Sequence, residues 1–175
     1  MATNTIPVDK ETAQLVLEEV GICLAKAVGA ARTTGAALRD AIVRIRPLGL
    51  LTVDQMAEAI VRDRNHIDAV WSAYGDTTKG KQTRVAVVAD PDGPLPAEYG
   101  ELYGLARDHR NTSLAVTLLR SERDQAVAAV YASKVLGPSA IAAHVGIDRN
   151  HVLRISRKAG VAPQHRTRTR NQHSK

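Results

Sequence analysis

One short pattern is written twice in this chain, 85 residues apart: MAEAIVRDRNHIDAVWSAYG at Met56 to Gly75 and IAAHVGIDRNHVLRISRKAG at Ile141 to Gly160. The tetrapeptide Asp63-Arg64-Asn65-His66 recurs in register as Asp148-Arg149-Asn150-His151. A duplicate of this kind requires two stretches of like construction, each a short helix, a turn and a second short helix. In the second copy Ile141, Ala142 and Val145 give one apolar face to the first short helix, and Gly146 tolerates positive φ at a tight turn. Asp148 suits the N-cap of the next helix, because its carboxylate can accept an orphan backbone N–H. Ile141, Val145, Ile147, Val152 and Ile155 then close a compact corner. Arg149, Asn150, Leu153, Arg154 and Arg157 are left on one outward face.

The first copy fills the inward positions with Met56, Ala57, Ile60, Ile67 and Val70. It departs at the turn, where Val61 and Arg62 replace Gly146 and Ile147. Valine avoids positive φ, so this turn is expected to be distorted or of a related type. On the outward face Arg64, Asn65 and His66 persist, while Asp68, Ala69 and Ser72 replace Leu153, Arg154 and Arg157.

Both copies resemble the helix-turn-helix of DNA-binding regulators, and the second is similar to the trihelical kind found in resolvase C-terminal domains and homeodomain-like regulators. The resemblance is confined to each helix pair and its flanks. It implies binding of double-stranded DNA, probed by the second helix of each pair. The candidate contacts in the second copy are Ser139, Arg149, Asn150, His151, Leu153, Arg154, Arg157 and Lys158. In the first they are Arg64, Asn65, His66, Asp68 and Ser72. An exposed carboxylate beside phosphate is unfavourable, although Asp can accept from a cytosine amine, so the second copy is expected to supply more affinity. A helical scaffold whose corners serve only packing is the competing expectation.

Charge is distributed to match. Residues 1–75 carry 8 Lys and Arg against 9 Asp and Glu, and residues 76–115 carry 5 against 6. Residues 116–175 carry 11 against 3, so the basic surface belongs to the C-terminal third. Nucleic acid is the polyanion expected there. From Val161 the sequence APQHRTRTRNQHSK has almost no apolar residue and is expected to be disordered when free, with Arg166, Arg168 and Arg170 lying along the duplex as a basic arm. A plain solubilising tail is the other possibility.

The hydrophobic fraction is 44%, but aromatics make up only 3% and there is no Phe, so the cores must be built from Ala, Val, Leu and Ile. The expected fold is therefore all-α, two helical units each ending in a helix-turn-helix. A linker with at most a short strand joins them. The boundaries expected are 1–78 for the first unit, 79–96 for the linker, 97–160 for the second unit and 161–175 for the tail.

Within the first unit a loose leader to Lys10 precedes a helix over Glu11 to Ala31, striped by Ala13, Val16, Leu17, Val20, Leu24, Ala27 and Val28. Thr33-Thr34-Gly35 is expected to break it, with a second helix from Ala36 to Arg46 stopping before Pro47. In the second unit a helix from Ala97 to about Arg110, another from Thr112 and a third over Glu122 to Leu136 are expected. Residues 85–89, VAVVA, suggest a strand, either inside a linker or as the wing of a winged helix carrying Lys79, Lys81 and Arg84. At the same 85-residue offset Ala41-Ile42 aligns with Ala126-Val127 and Ile45 with Val130, so the duplication can be extended to the preceding helix, though on little identity.

Enzymatic chemistry is not expected. The six histidines form no metal pattern with carboxylates, no phosphate-binding loop or nucleophile elbow appears, and neither metal nor cofactor is expected. Cys23, the lone cysteine, excludes an internal disulfide and is expected to be a buried, inert thiol in VGICLAKAV. With neither a signal-like leader nor a membrane span, a cytoplasmic, nucleoid-associated protein is expected. Arg outnumbers Lys 17 to 7, which suggests a GC-rich genome such as an actinobacterium or its phages. Two functions are carried forward. One is a sequence-specific regulator or phage or plasmid repressor with two reading heads. The other is a C-terminal DNA-binding unit whose N-terminal helices form a homodimer or engage a protein partner in recombination, partition or nucleoid organisation.

Overall fold

The computed structural model describes residues 9–75 and 94–163 and is all-α, with no strand among these residues. The helices are α1 (Lys10–Ile45), α2 (Val53–Ile60), α3 (Arg64–Tyr74), α4 (Ala97–Ser133), α5 (Pro138–Val145) and α6 (Arg149–Lys158), with a 3-10 turn at Arg46–Leu48 after α1. The expected leader to residue 8, the linker, strand or wing at 79–93 and the basic tail from residue 164 lie outside the described residues.

The breaks expected inside the long helices are absent. Helix α1 passes through Thr33-Thr34-Gly35 without interruption. The Thr33 hydroxyl donates to the Gly29 carbonyl at 3.2 Å, and that of Thr34 to Ala30 at 3.1 Å, so both side chains bond back within the helix rather than compete with it. Gly35 is there for space: a Cβ at this position would lie 3.0 Å from the His109 ring of α4. The bends expected in α4 near Thr112 and Ser121 are likewise missing, and the Thr112 hydroxyl bonds back to the Asp108 carbonyl at 3.0 Å. Helix α1 starts on Asp9, whose carboxylate accepts from Thr12 N at 2.9 Å and from Thr12 Oγ1 at 2.7 Å. These bonds hold the Asp9 carboxyl below its ordinary value.

The chain forms two compact units that are not its contiguous halves. One consists of residues 1–25 and 117–175, the other of residues 26–116. Each unit therefore contains one short helix pair, the C-terminal part of the long helix before it and the N-terminal part of the other long helix. In the unit of residues 26–116, Leu38, Ala41, Ile42 and Ile45 of α1 and Leu102 and Ala106 of α4 enclose Met56, Ala57, Ile60, Ile67 and Val70 of the helix pair. Thr34 Oγ1 meets Thr112 Oγ1 at 2.9 Å while Arg44 pairs with Glu101, so α1 and α4 run antiparallel in this unit. In the other unit Ala13 and Leu17 of α1 and Val127, Val130 and Tyr131 of α4 enclose Ile141, Ala142, Val145, Val152 and Ile155. The expected α1 stripe is only partly right. Ala13 and Leu17 are fully buried, Val20, Leu24, Ala27 and Val28 are half-buried, and Val16 is exposed. Cys23 is exposed too, contrary to the buried thiol expected.

The 85-residue offset extends well beyond the quoted repeat. Leu17 and Leu102, Ile42 and Val127, Ile45 and Val130, and Leu51 and Leu136 are all buried pairs in corresponding positions. The backbone follows the same offset. Gly49 and Lys134 share left-handed φ values of 67° and 62°. Val61 (φ 55°) and Gly146 (φ 71°) share another. After them Arg62 N donates to the Ala57 carbonyl at 3.0 Å and Ile147 N to the Ala142 carbonyl at 3.1 Å, the same helix-ending bond in both copies.

Val61 thus overturns the expectation that a β-branched residue would force a different turn. The turn is kept and the residue is strained. Left-handed geometry at a β-branched residue costs on the order of 1–3 kcal/mol, against roughly 0.5–1 kcal/mol of extra chain entropy for glycine. Since Val61 is exposed and buries little, Val61→Gly is expected to raise unfolding stability by about 1 kcal/mol. The reverse change at the corresponding position, Gly146→Val, is expected to lower it. Chemical denaturation of both variants checks this.

Candidate nucleic-acid interface

Helix α6 begins where Asp148 caps it. Asp148 is in an extended conformation, and its Oδ1 accepts from His151 N at 2.9 Å. Asp63 does the same for α3, accepting from His66 N at 2.9 Å. The caps fix where each helix starts and so which residues face outward. In α6, Val152 and Ile155 are buried, and Arg149, Asn150, Arg154, Arg157 and Lys158 are exposed. His151 and Leu153 are half-buried, and Leu153 packs against the core, so it is not the fully outward residue expected.

Among the described residues, Arg149, Arg154, Arg157 and Lys158 have no ion-pair partner. Arg157 and Lys158 in the last turn are favoured by the helix dipole, whereas Arg149 at the first position opposes it. Helix stability accounts for two of these cations and argues against the third. Arg149, Leu153 and Arg157 border an open depression of about 760 Å³ with Ser139 at the start of α5, above the buried Tyr131 and Ser156. Four of the candidate residues are thereby brought together. Asn150 and Arg154 are exposed on the same helix but do not line the depression.

The corresponding face of α3 is differently arranged. Arg64, Asn65, His66 and Ser72 are exposed, and Arg64 Nη1 lies 3.8 Å from Asp54 Oδ2. Asp68, expected to face outward as a free carboxylate, accepts from Arg46 Nη2 at 2.7 Å. Arg46 also donates to the Ile67 carbonyl at 3.4 Å and stacks 5.2 Å from the Trp71 ring. The sequence reading missed Arg46. The offset could have found it, since it places Arg46, Asp68 and Trp71 opposite Tyr131, Leu153 and Ser156.

His144 belongs to neither face. Its Nδ1 lies 2.9 Å from Glu18 Oε1 and its Nε2 lies 3.2 Å from Gln14 Nε2, which ties α5 to the start of α1. Arg166, Arg168 and Arg170 lie outside the described residues. No family model, curated protein or solved structure matches the chain.

Because each cap satisfies an orphan donor of its helix, Asp63→Ala and Asp148→Ala are each expected to cost about 1 kcal/mol of stability. Thermal or chemical unfolding of the two variants measures this. Similar losses at the two sites would show that the duplicated caps do the same work.

Proposed function

We propose that the chain is a sequence-specific double-stranded DNA-binding protein, a transcriptional regulator or repressor, with α5 and α6 as a helix-turn-helix whose second helix enters the major groove. The observation that carries this is the face of α6: four exposed cations that have no ion-pair partner among the described residues, on a helix capped by Asp148. The duplicated corner supports it, as does the surplus of basic residues in the C-terminal third.

Arg149 and Arg154 suit the O6 and N7 acceptors of guanine, and Asn150 suits N6 and N7 of adenine. Arg157, Lys158 and the hydroxyl of Ser139 are placed for phosphates, and Arg166, Arg168 and Arg170 follow on as a basic arm. His151 and Leu153 are half-buried and serve mainly to seat the helix. No catalytic role is assigned, and the site of action is the nucleoid.

Arg149→Ala is expected to flatten preference at one base position, with a discrimination loss of about 1–3 kcal/mol. Arg157→Ala is expected to weaken all duplexes alike and to reduce the slope of log affinity against log salt by about 1. Selection from a random duplex pool, followed by binding titrations at several salt concentrations, reads both. Unchanged preference in Arg149→Ala would remove α6 from the reading role.

A second activity is favoured by exposed apolar side chains on α1. Leu15 and Ile22, two turns apart, are 61% and 55% exposed, beside Val16. Surfaces of this kind mark contacts between proteins, and α1 is proposed to join a second copy of the chain or a protein partner. The double variant Leu15→Glu/Ile22→Glu is expected to shift sedimentation from dimer to monomer. A wild-type chain that sediments as a monomer at all concentrations excludes the homodimer.

A further inference from the structure

The two helix pairs share a backbone, yet their outward faces are built for opposite surroundings. In α6 the positions following the cap present Arg149, Leu153 and Arg157 around an open depression. In α3 the same positions hold Arg64, Asp68 and Ser72, and both charged ones have intramolecular partners. The pairing of Arg46 with Asp68 is lopsided. The Arg46 side chain is 19% exposed, and that of Asp68 is 47% exposed. The cation is thus the enclosed member, held by the Asp68 carboxylate, the Ile67 carbonyl and the Trp71 ring, while the carboxylate still presents half its surface outward.

We infer that the α2–α3 pair is a non-reading copy, and that Asp68 is the residue that keeps it off DNA. The inference rests on the assignment of α6 as the DNA-reading helix. Asp68 acts twice. It places negative charge where Leu153 sits in the DNA-binding copy, close to where phosphates would pass, and it retains the Arg46 guanidinium that would otherwise be free to meet one. Arg64 has a carboxylate, that of Asp54, 3.8 Å away, which Arg149 lacks among the described residues. The duplication has therefore left one reading head per chain, so the bound site is a single short one.

The test uses the full-length chain and a mixed-sequence 30-base-pair duplex, with affinity measured by fluorescence anisotropy over a range of salt. Asp68→Asn retains an acceptor for Arg46 and so preserves the fold. Arg46→Tyr/Asp68→Leu installs the residues found in the other copy and frees the position of charge altogether. Asp40→Asn, on exposed α1 surface outside the helix pair, changes net charge equally. Asp68→Asn is expected to tighten binding at least fivefold at 0.1 M salt and to steepen the salt slope by about 1, with Asp40→Asn changing affinity less than twofold. In footprinting on the same duplex the double variant is expected to protect a longer site than the wild type, and an unchanged site overturns the inference. Equal effects of Asp68→Asn and Asp40→Asn, or no effect of either, overturn the assignment of Asp68. In that case wild-type binding that is lost in Arg149→Ala/Arg154→Ala leaves the role of α6 standing. Absence of wild-type binding overturns both.

Discussion

A chain that must turn a corner within three residues between two short helices has to satisfy two demands at once. It must point the second helix away from the first, and it must leave no backbone donor stranded at the new helix start. Both copies solve this with a left-handed residue followed two positions later by an aspartate cap, Val61 and Asp63 in one and Gly146 and Asp148 in the other. Everything else about the helix pairs depends on that corner. With the start of α6 fixed at Arg149, helical periodicity sends Val152 and Ile155 into the core and leaves Arg154 and Arg157 outside. A start displaced by one residue would rotate that face by about 100° and bury an arginine.

The corner could be read from the sequence because its determinants are local. Asp148 as a cap, Gly146 in the left-handed region and the buried set Ile141, Val145, Val152 and Ile155 all follow from residue type and spacing. The long helices could not be read so easily. Thr33, Thr34, Gly35 and Thr112 look like helix breakers in isolation, yet each hydroxyl bonds back into its own helix, and Gly35 is small for the His109 ring seventy-odd positions away. Nor does local pattern say that Ala13 and Leu17 complete the core around α5 and α6. That pairing joins the two ends of the chain, and the only trace of it in the sequence is that Leu17 and Leu102 correspond under the 85-residue offset.

The candidate site was legible to the same degree. The exposed arginines of α6 follow from the cap and the periodicity. What a sequence cannot display is the state of a charge, which depends on what another segment brings to it. Asp68 reads as a free carboxylate until Arg46 is seen to reach it from the end of α1, and Arg64 reads as equivalent to Arg149 until Asp54 is found beside it. Leu153 appears outward by periodicity, but it leans onto the core and forms one side of a depression.

Duplication makes these differences informative, because each copy is the control for the other. The turn at Val61 keeps the left-handed geometry of Gly146 without a glycine, so packing of the buried set supports the corner together with its aspartate cap. On a shared backbone geometry, the two outward faces differ in charge. On one face Arg64 and Asp68 each have an opposite charge within reach, Asp54 and Arg46. The other holds Arg149 against its helix dipole and, among the described residues, leaves four cations without ion-pair partners, of which the dipole favours only Arg157 and Lys158. Under the proposed function, a polyanion meeting this face from outside would give Arg149 and Arg154 the partners that the described residues do not supply.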